Sequence, residues 1–383
     1  MQPIYLDHNA TTPLLPEVAA AMAECQSAGF ANPESQHQLG RRARRMLEDA
    51  REGIAAILGV DLQCRPPDRL IFTSGGTEAN NLALFGMAGA SGAGNSPRIA
   101  ISSIEHPSVS QAAKALTRRG FRLDIVPVSQ DGLMSIDRFK SLLGERPRLV
   151  SIMAANNETG VLQPIRELAA LAATVGAPLH TDAVQAVGKT PASFREWGVA
   201  AMSIASHKFN GPRGVGALIV RGGAALDPIL FGGFQEEGLR PGTQPVALAV
   251  GMHAAIESFH REQVERTARI AQLRDRLETG LVAAWPSAIV HGAMALRLPN
   301  TTCLAFPGRD RQALVMALDL AGVACSTGSA CASGSSEPSP TLVAMGLADE
   351  LIGSSIRFSL GATTTAGEID EAIKRIARVL AKR

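Results

Sequence analysis

"RLIFTSGGTEANN" (Arg69–Asn81) decides the architecture. Arg69–Ser74 is a short apolar run with the composition of a strand. Gly75, Gly76 and Thr77 end it and open a helix. A strand that passes through a glycine pair into a helix is the first half of a β-α-β unit. Small residues there leave backbone N–H groups at the positive end of the helix dipole, an arrangement suited to phosphate. Alone, the same Gly-Gly-Thr is equally the turn of an ordinary crossover.

The alternation continues along the chain. "RIAISS" (Arg98–Ser103), "LVSIMAA" (Leu149–Ala155), "APLHTD" (Ala177–Asp182) and "GALIVR" (Gly216–Arg221) read as strands separated by helical patterns. One such pattern, Ile165–Thr174, has apolar residues at 165, 168, 169 and 172. Another runs from Ser35 to Leu58 with Leu39, Ala43, Met46, Ala50, Ile54 and Ile57 three or four apart. The expected fold is therefore α/β, a mostly parallel sheet flanked by helices. From Pro245 to about Trp285 the helical pattern outruns an ordinary globular helix, which predicts a connecting helix with room for one break. "AIVHG", "TTCLAF" and "SSIRFSL" with helices at Arg311–Ala321 and Thr365–Lys382 then suit a smaller α/β domain. The predicted division is a large domain over 15–258 and a small one made of 1–14 with 259–383.

Composition narrows the function. With 383 residues, 46% of them hydrophobic, the chain can bury one large core or two. Net charge is +2 without a long basic or acidic block, and aromatics are only 4%, so neither electrostatics nor stacking points to nucleic acid. No apolar run reaches membrane-spanning length. "MQPIYLDHNATTP" carries neither a basic leader nor an apolar signal core, which predicts a cytoplasmic location. Five cysteines in so long a chain do not suggest a disulfide framework.

In parallel sheets ligands bind beyond the carboxyl ends of the strands. Those ends carry Gly76 and Thr77, Glu105 and His106, Asn156 and Asn157, Asp182 and Gln185, and His207 and Lys208. Of six lysines, only Lys208 sits between an apolar strand and a tight glycine-rich loop, "FNGPRGVG"; Lys114, Lys140, Lys374 and Lys382 fall on polar helical faces, and Lys189 follows a turn. A desolvated lysine of that kind serves as a Schiff-base amine, although a salt-bridged lysine at a domain edge fits the same position. Asp182 is a helix cap in one reading and the acidic partner of a pyridine nitrogen in another. Lysine, carboxylate, phosphate turn and a stacking candidate, His106, together favour pyridoxal 5'-phosphate.

These segments resemble a known family. "YLDHNATTP" (Tyr5–Pro13), "FTSGGTEANN" (Phe72–Asn81), "EHPSV" (Glu105–Val109), "NNETG" (Asn156–Gly160), "HTDAVQAVGK" (His180–Lys189), "SHKFNGPRGVG" (Ser206–Gly216), "GSACASGSSEPS" (Gly328–Ser339) and "SIRFSLG" (Ser355–Gly361) are similar to cysteine desulfurases of the NifS/IscS type, fold-type I pyridoxal phosphate enzymes of the class V aminotransferase kind. The resemblance implies Lys208 as the Schiff-base lysine, Asp182 at the pyridine nitrogen, His106 on the ring, and Gln185 and Asn157 near the phenolic oxygen and the substrate. It implies Gly76, Thr77 and His207 at the phosphate, with Thr243 reaching the phosphate of a second subunit in a homodimer. Arg357 would hold the substrate carboxylate. Ala205 stands where relatives often carry a phosphate-binding serine, leaving Ser206 as the candidate substitute, and Pro241 replaces a small polar residue.

Cys331 would be the nucleophile that takes sulfur from L-cysteine as a persulfide, leaves L-alanine, and passes the sulfur to an acceptor protein for iron–sulfur clusters, thio-cofactors or thiolated tRNA. Its Gly- and Ser-rich surroundings suit a thiol that must serve both a pocket and an outside partner. Cys325 and Cys331 have the wrong spacing for zinc, so no metal site is expected. Other readings are a selenocysteine lyase or another class V enzyme and, of a different kind, a non-catalytic sulfur carrier or scaffold.

Overall fold

The computed structural model describes residues 2–89, 97–328 and 337–381. Strand β1 (Ile4–Tyr5) precedes helices α1 (Pro16–Ala28) and α2 (Gln38–Leu58). Seven strands follow: β2 (Arg69–Thr73), β3 (Arg98–Ser102), β4 (Arg122–Val126), β5 (Leu149–Ser151), β6 (Leu179–Asp182), β7 (Ala201–Ala205) and β8 (Gly216–Val220). They form one sheet in the order β2-β8-β7-β6-β5-β3-β4. Both pairings of β8 are antiparallel and all the others are parallel. The mostly parallel sheet is as expected. The sequence reading passed over β4, because Arg122 and Asp124 interrupt its apolar run; it is a sheet edge, where one side meets solvent.

Period-two alternation sends successive side chains to opposite faces, and here both faces are buried. Leu70 and Phe72 join a core with Ile54, Phe139 and Leu168, whereas Ile71 joins another with Leu82, Val109 and Leu218. Helices α3 (Gly76–Asn81) and α4 (Pro107–Thr117) cover the second face. The first is covered by α2, α5 (Ile136–Leu143), α6 (Ile165–Ala173) and α7 (Phe194–Trp197). The backbone continues helically past α3 as a π-turn over Leu82–Gly86.

Helix α8 (Val246–Ala284) is 39 residues long and unbroken, so the allowance for a break was not needed. Its first half packs Ala249, Met252 and Ala255 on the sheet core; its second half packs Ile270, Leu277 and Leu281 into a separate core. At Gly53 a Cβ would lie 2.0 Å from Nε2 of His253, so α2 lies against α8 at a distance only glycine permits. The separate core also takes Ile4 and Leu6. It is built on β9 (Ile289–Val290), β10 (Thr301–Ala305), α9 (Arg311–Leu320), β11 (Val323–Ala324), β12 (Ser355–Ser359) and α12 (Ala366–Ala381), while the short helices α10 (Pro340–Ala344) and α11 (Asp349–Gly353) bury Leu342 and Ile352 in a small cluster of their own. Strand β10 pairs antiparallel with β12 and β9, and β1 pairs parallel with β11. The N-terminal segment is thereby stitched to the C-terminal third. Among the described residues, no helix is long and apolar enough to cross a membrane.

Candidate active site

Because β2, β3, β5, β6 and β7 run in one direction, their carboxyl ends meet on one edge, and a cavity of about 260 Å³ lies there. Its walls include Gly76, Thr77, His106, Asn157, Asp182, Gln185, Ala205, His207, Lys208 and Arg357. At the β2 end, Gly75 takes a positive φ of 156°, and a Cβ at Gly76 would stand 2.8 Å from Val184 Cγ2. The chain therefore needs glycine where the helix starts against the neighbouring strand ends. Glu78 accepts a hydrogen bond from the Ser74 N–H at 2.6 Å and pairs with Arg240 at 2.8 Å, which holds this turn in place.

Asp182 is buried at the end of β6. Its Oδ1 accepts from the Val184 N–H at 3.0 Å and its Oδ2 from Asn80 Nδ2 at 2.7 Å. His106 caps α4, with Nδ1 accepting the Ser108 N–H at 3.1 Å. Lys208 donates from Nζ to the carbonyls of Asn9 at 2.6 Å and Ala10 at 2.8 Å.

The opposite wall comes from far away in sequence. Asn9 is buried: its Nδ2 donates to Thr301 Oγ1 and to the Asn157 carbonyl, and its Oδ1 accepts from Lys189 Nζ and Asn300 Nδ2. Lys189 Nζ also donates to Gln185 Oε1, and Gln185 Nε2 donates to the Asn9 carbonyl. Arg357, 1% exposed, donates to Asp7 Oδ1 at 2.6 Å and to the Asn157 carbonyl at 3.0 Å. Its Nε is buried without a hydrogen-bond partner among the described residues, so part of its fork is unspent.

Burial sets the charges. It pushes the Lys189 ammonium well below the usual lysine range, helped by the positive charges of Lys208 and Arg357. Burial, then Lys208, Lys189 and Arg213, lower His207 to about 4, so its imidazole is neutral. Behind the β3 end, burial raises Glu105 to about 8 despite hydrogen bonds from Ser102 Oγ and the Met153 N–H.

Nine of the residues singled out in the sequence meet in this cavity: Gly76, Thr77, His106, Asn157, Asp182, Gln185, His207, Lys208 and Arg357. Ser206 does not. It is fully buried, and its hydroxyl lies where a Cβ on Gly211 would come within 2.0 Å of it, while Ala205 lines the cavity. Substitution of Ser206 for a serine at 205 is thus not the geometry found. Thr243 also lies apart, exposed on a groove with Phe30 and Asn32. Cys331 falls outside the described residues. Cys325 is described, and burial, then Asp7, push its thiol above the usual range, which agrees with an inert role.

Sequence reasoning missed Asn9, Asn80, Ser108 and Lys189. Asn80 and Ser108 stand in motifs already quoted, one helical turn or less from the singled-out residues. Lys189 was set aside as a turn residue, yet its side chain is buried and bonded behind Gln185.

The residues fit pyridoxal 5'-phosphate. An amine, a carboxylate held by two donors, an imidazole and a glycine-tight helix start bound one cavity. Among the described residues, no three His, Cys, Asp or Glu side chains gather as metal ligands.

A fold with this sheet and site defines a class, and comparison with known proteins agrees. Residues 4–372 match the family described as aminotransferase class-V, and the chain belongs to it. It is 40% identical over 379 residues to cysteine desulfurase IscS of Dictyoglomus turgidum, covering 99% of this chain and 95% of that one. To cysteine desulfurase NifS of Azotobacter vinelandii it is 37% identical over 382 residues, 100% of this chain and 94% of the other. The solved structure of a NifS-like protein from Rickettsia africae superposes with a TM-score of 0.89 at 32% identity, covering 99% of each chain.

Proposed function

We propose that this protein is a cysteine desulfurase: a pyridoxal phosphate enzyme that converts L-cysteine to L-alanine and collects the sulfur as a persulfide on Cys331. The observation that carries this is the convergence of Lys208, Asp182, His106 and Arg357 on one cavity in a chain whose near full-length relatives bear that name. Bound pyridoxal phosphate supplies an electron sink for bond changes at the substrate Cα.

The chain's own groups divide the remaining work. Arg357 offers a planar fork of donors to the substrate carboxylate, beside Asn157. Asp182 would be the acidic partner for the pyridine nitrogen, Gly76, Thr77 and His207 would hold the phosphate, and Gln185 would face the phenolic oxygen. Lys208 moves the proton at Cα, and His106 handles a second proton. The Cys331 thiolate then attacks the substrate sulfur. The new S–S bond forms as the Cβ–S bond breaks, and Cβ takes up a proton to become the methyl of alanine.

The sulfur passes to an acceptor protein for iron–sulfur cluster assembly or thiolation. The active unit is a homodimer in the cytoplasm. Thr243 is exposed and does not line its own chain's cavity, and Phe231 and Phe234 are 87% and 93% exposed, which suits burial against a second copy. The two groups of cores support a division into 15–258 and 1–14 with 259–383.

The test is sulfide release from L-cysteine by pyridoxal phosphate-loaded protein with excess dithiol. Sulfide and alanine in equal amounts are expected. Protein that visibly holds the cofactor yet yields neither would overturn the reading.

A further inference from the structure

Four polar side chains from three separate segments form one chain of hydrogen bonds in the wall of the cavity. Asn80, on α3, spends both hydrogens of its amide: one on Asp182 Oδ2 at 2.7 Å, the other on Ser108 Oγ at 2.8 Å. The Ser108 hydroxyl stands 2.7 Å from His106 Nδ1. Asn80, Ser108 and Asp182 are buried, at 1%, 9% and 5% exposure.

The directions of these bonds are fixed from one end. The carboxylate of Asp182 only accepts, so Asn80 must present its NH₂ rather than its carbonyl to that side. The same NH₂ then makes Ser108 Oγ an acceptor and frees the hydroxyl hydrogen to point at His106. His106 Nδ1 already accepts the Ser108 backbone N–H at 3.1 Å. A nitrogen receiving two donors cannot itself carry the proton, so in the neutral ring the proton sits on Nε2.

We propose that Asn80 and Ser108 are positioning residues that join Asp182 to His106, aligning the carboxylate and holding the imidazole as its Nε2–H tautomer. The pyridine-nitrogen partner and the acid–base histidine then act as one aligned unit. Orphaned Asn80 Oδ1, buried without a hydrogen-bond partner, is consistent with an amide oriented by its donors. The inference deepens the proposed function and rests on its assignment of His106 and Asp182.

The test reads the ring nitrogens by NMR of protein carrying ¹⁵N-labelled histidine, with His106→Gln assigning the signals. The wild type is expected to show Nδ1 unprotonated and Nε2 protonated. Ser108→Ala should move the Nδ1 signal downfield, as a nitrogen that has lost a donor. Asn80→Ala, which removes no direct contact to the ring, should move it the same way by less, and Ser108→Thr should restore it. Loss of one such bond should also lower kcat/KM roughly fivefold, the size of about 1 kcal/mol. A wild-type ring protonated at Nδ1, or an Nδ1 signal unmoved in both alanine variants, overturns the proposal. If the signals behave as expected but no sulfide forms from L-cysteine, the relay stands and the desulfurase reading fails.

Discussion

The cavity has two halves built in different ways. The sheet-edge half takes Gly76, His106, Asp182 and Lys208 from successive strand ends, each placed by its own strand and turn. The opposite half is a knot: Asn9 binds Thr301, Asn300, Lys189 and the Asn157 carbonyl, and Arg357 binds Asp7. One half follows from the parallel sheet. The other exists only when residues 148 to 350 positions apart come together. Groups on the first are set by local geometry; groups on the second depend on how the N-terminal segment is tied down.

Removing the knot should therefore cost most. Asn9→Ala strips the acceptor from Lys189 and Asn300 and the donor from Thr301, leaving buried polar groups unpaired. A loss of about 2–4 kcal/mol is expected in denaturant unfolding, together with weakened substrate binding. A change no larger than that of an exposed-site substitution would show that the two halves are not distinguished in this way.

Lys189→Met sharpens the contrast within the same half. The amine is buried among neutral oxygens with no carboxylate partner among the described residues, so its ammonium form is disfavoured. Stability should fall by about 1–2 kcal/mol, less than for Asn9→Ala, because only Gln185 Oε1 is left without its donor. Cofactor retention on dilution should fall, because Gln185 loses the donor that fixes its amide. Unchanged retention would assign Lys189 to packing alone.

A separate effect belongs to the sheet-edge half and depends on pH. Glu105 keeps its proton in the folded chain up to about 8, whereas an unfolded glutamate releases it near 4.5. Between these values the unfolded state binds fewer protons, so folding weakens as pH rises through the window. Glu105→Gln removes this term. The variant's melting temperature, relative to wild type, should rise by a few degrees from about pH 5 to about pH 8. Parallel pH profiles for the two proteins would mean that Glu105 does not bear a proton there.

The same division explains what could be read from the sequence. The strands of the sheet, apart from β4, and the strand-end residues were legible because periodicity and turn chemistry are local signals. Asn9 and Lys189 also lie in quoted motifs, but nothing near either reveals that the two meet across 180 residues. Ser206 misled for a related reason. Adjacent residues at a strand end point to opposite sides, so Ala205 faces the cavity while the Ser206 hydroxyl is turned toward Gly211. Asn80 and Ser108 lay within recognised motifs, but only the packing of α3 on α4 brings them together.

The central claim is that sulfur leaves L-cysteine for Cys331. The most direct measurement is intact-protein and peptide mass analysis after one turnover of the loaded enzyme with L-cysteine and no dithiol. The account predicts one added sulfur atom on the peptide containing Cys331, removable by reductant, with one alanine formed per site, and no such mass in Cys331→Ser. Alanine formed while Cys331 stays unmodified, or sulfur added with equal yield in the Cys331→Ser protein, would contradict it.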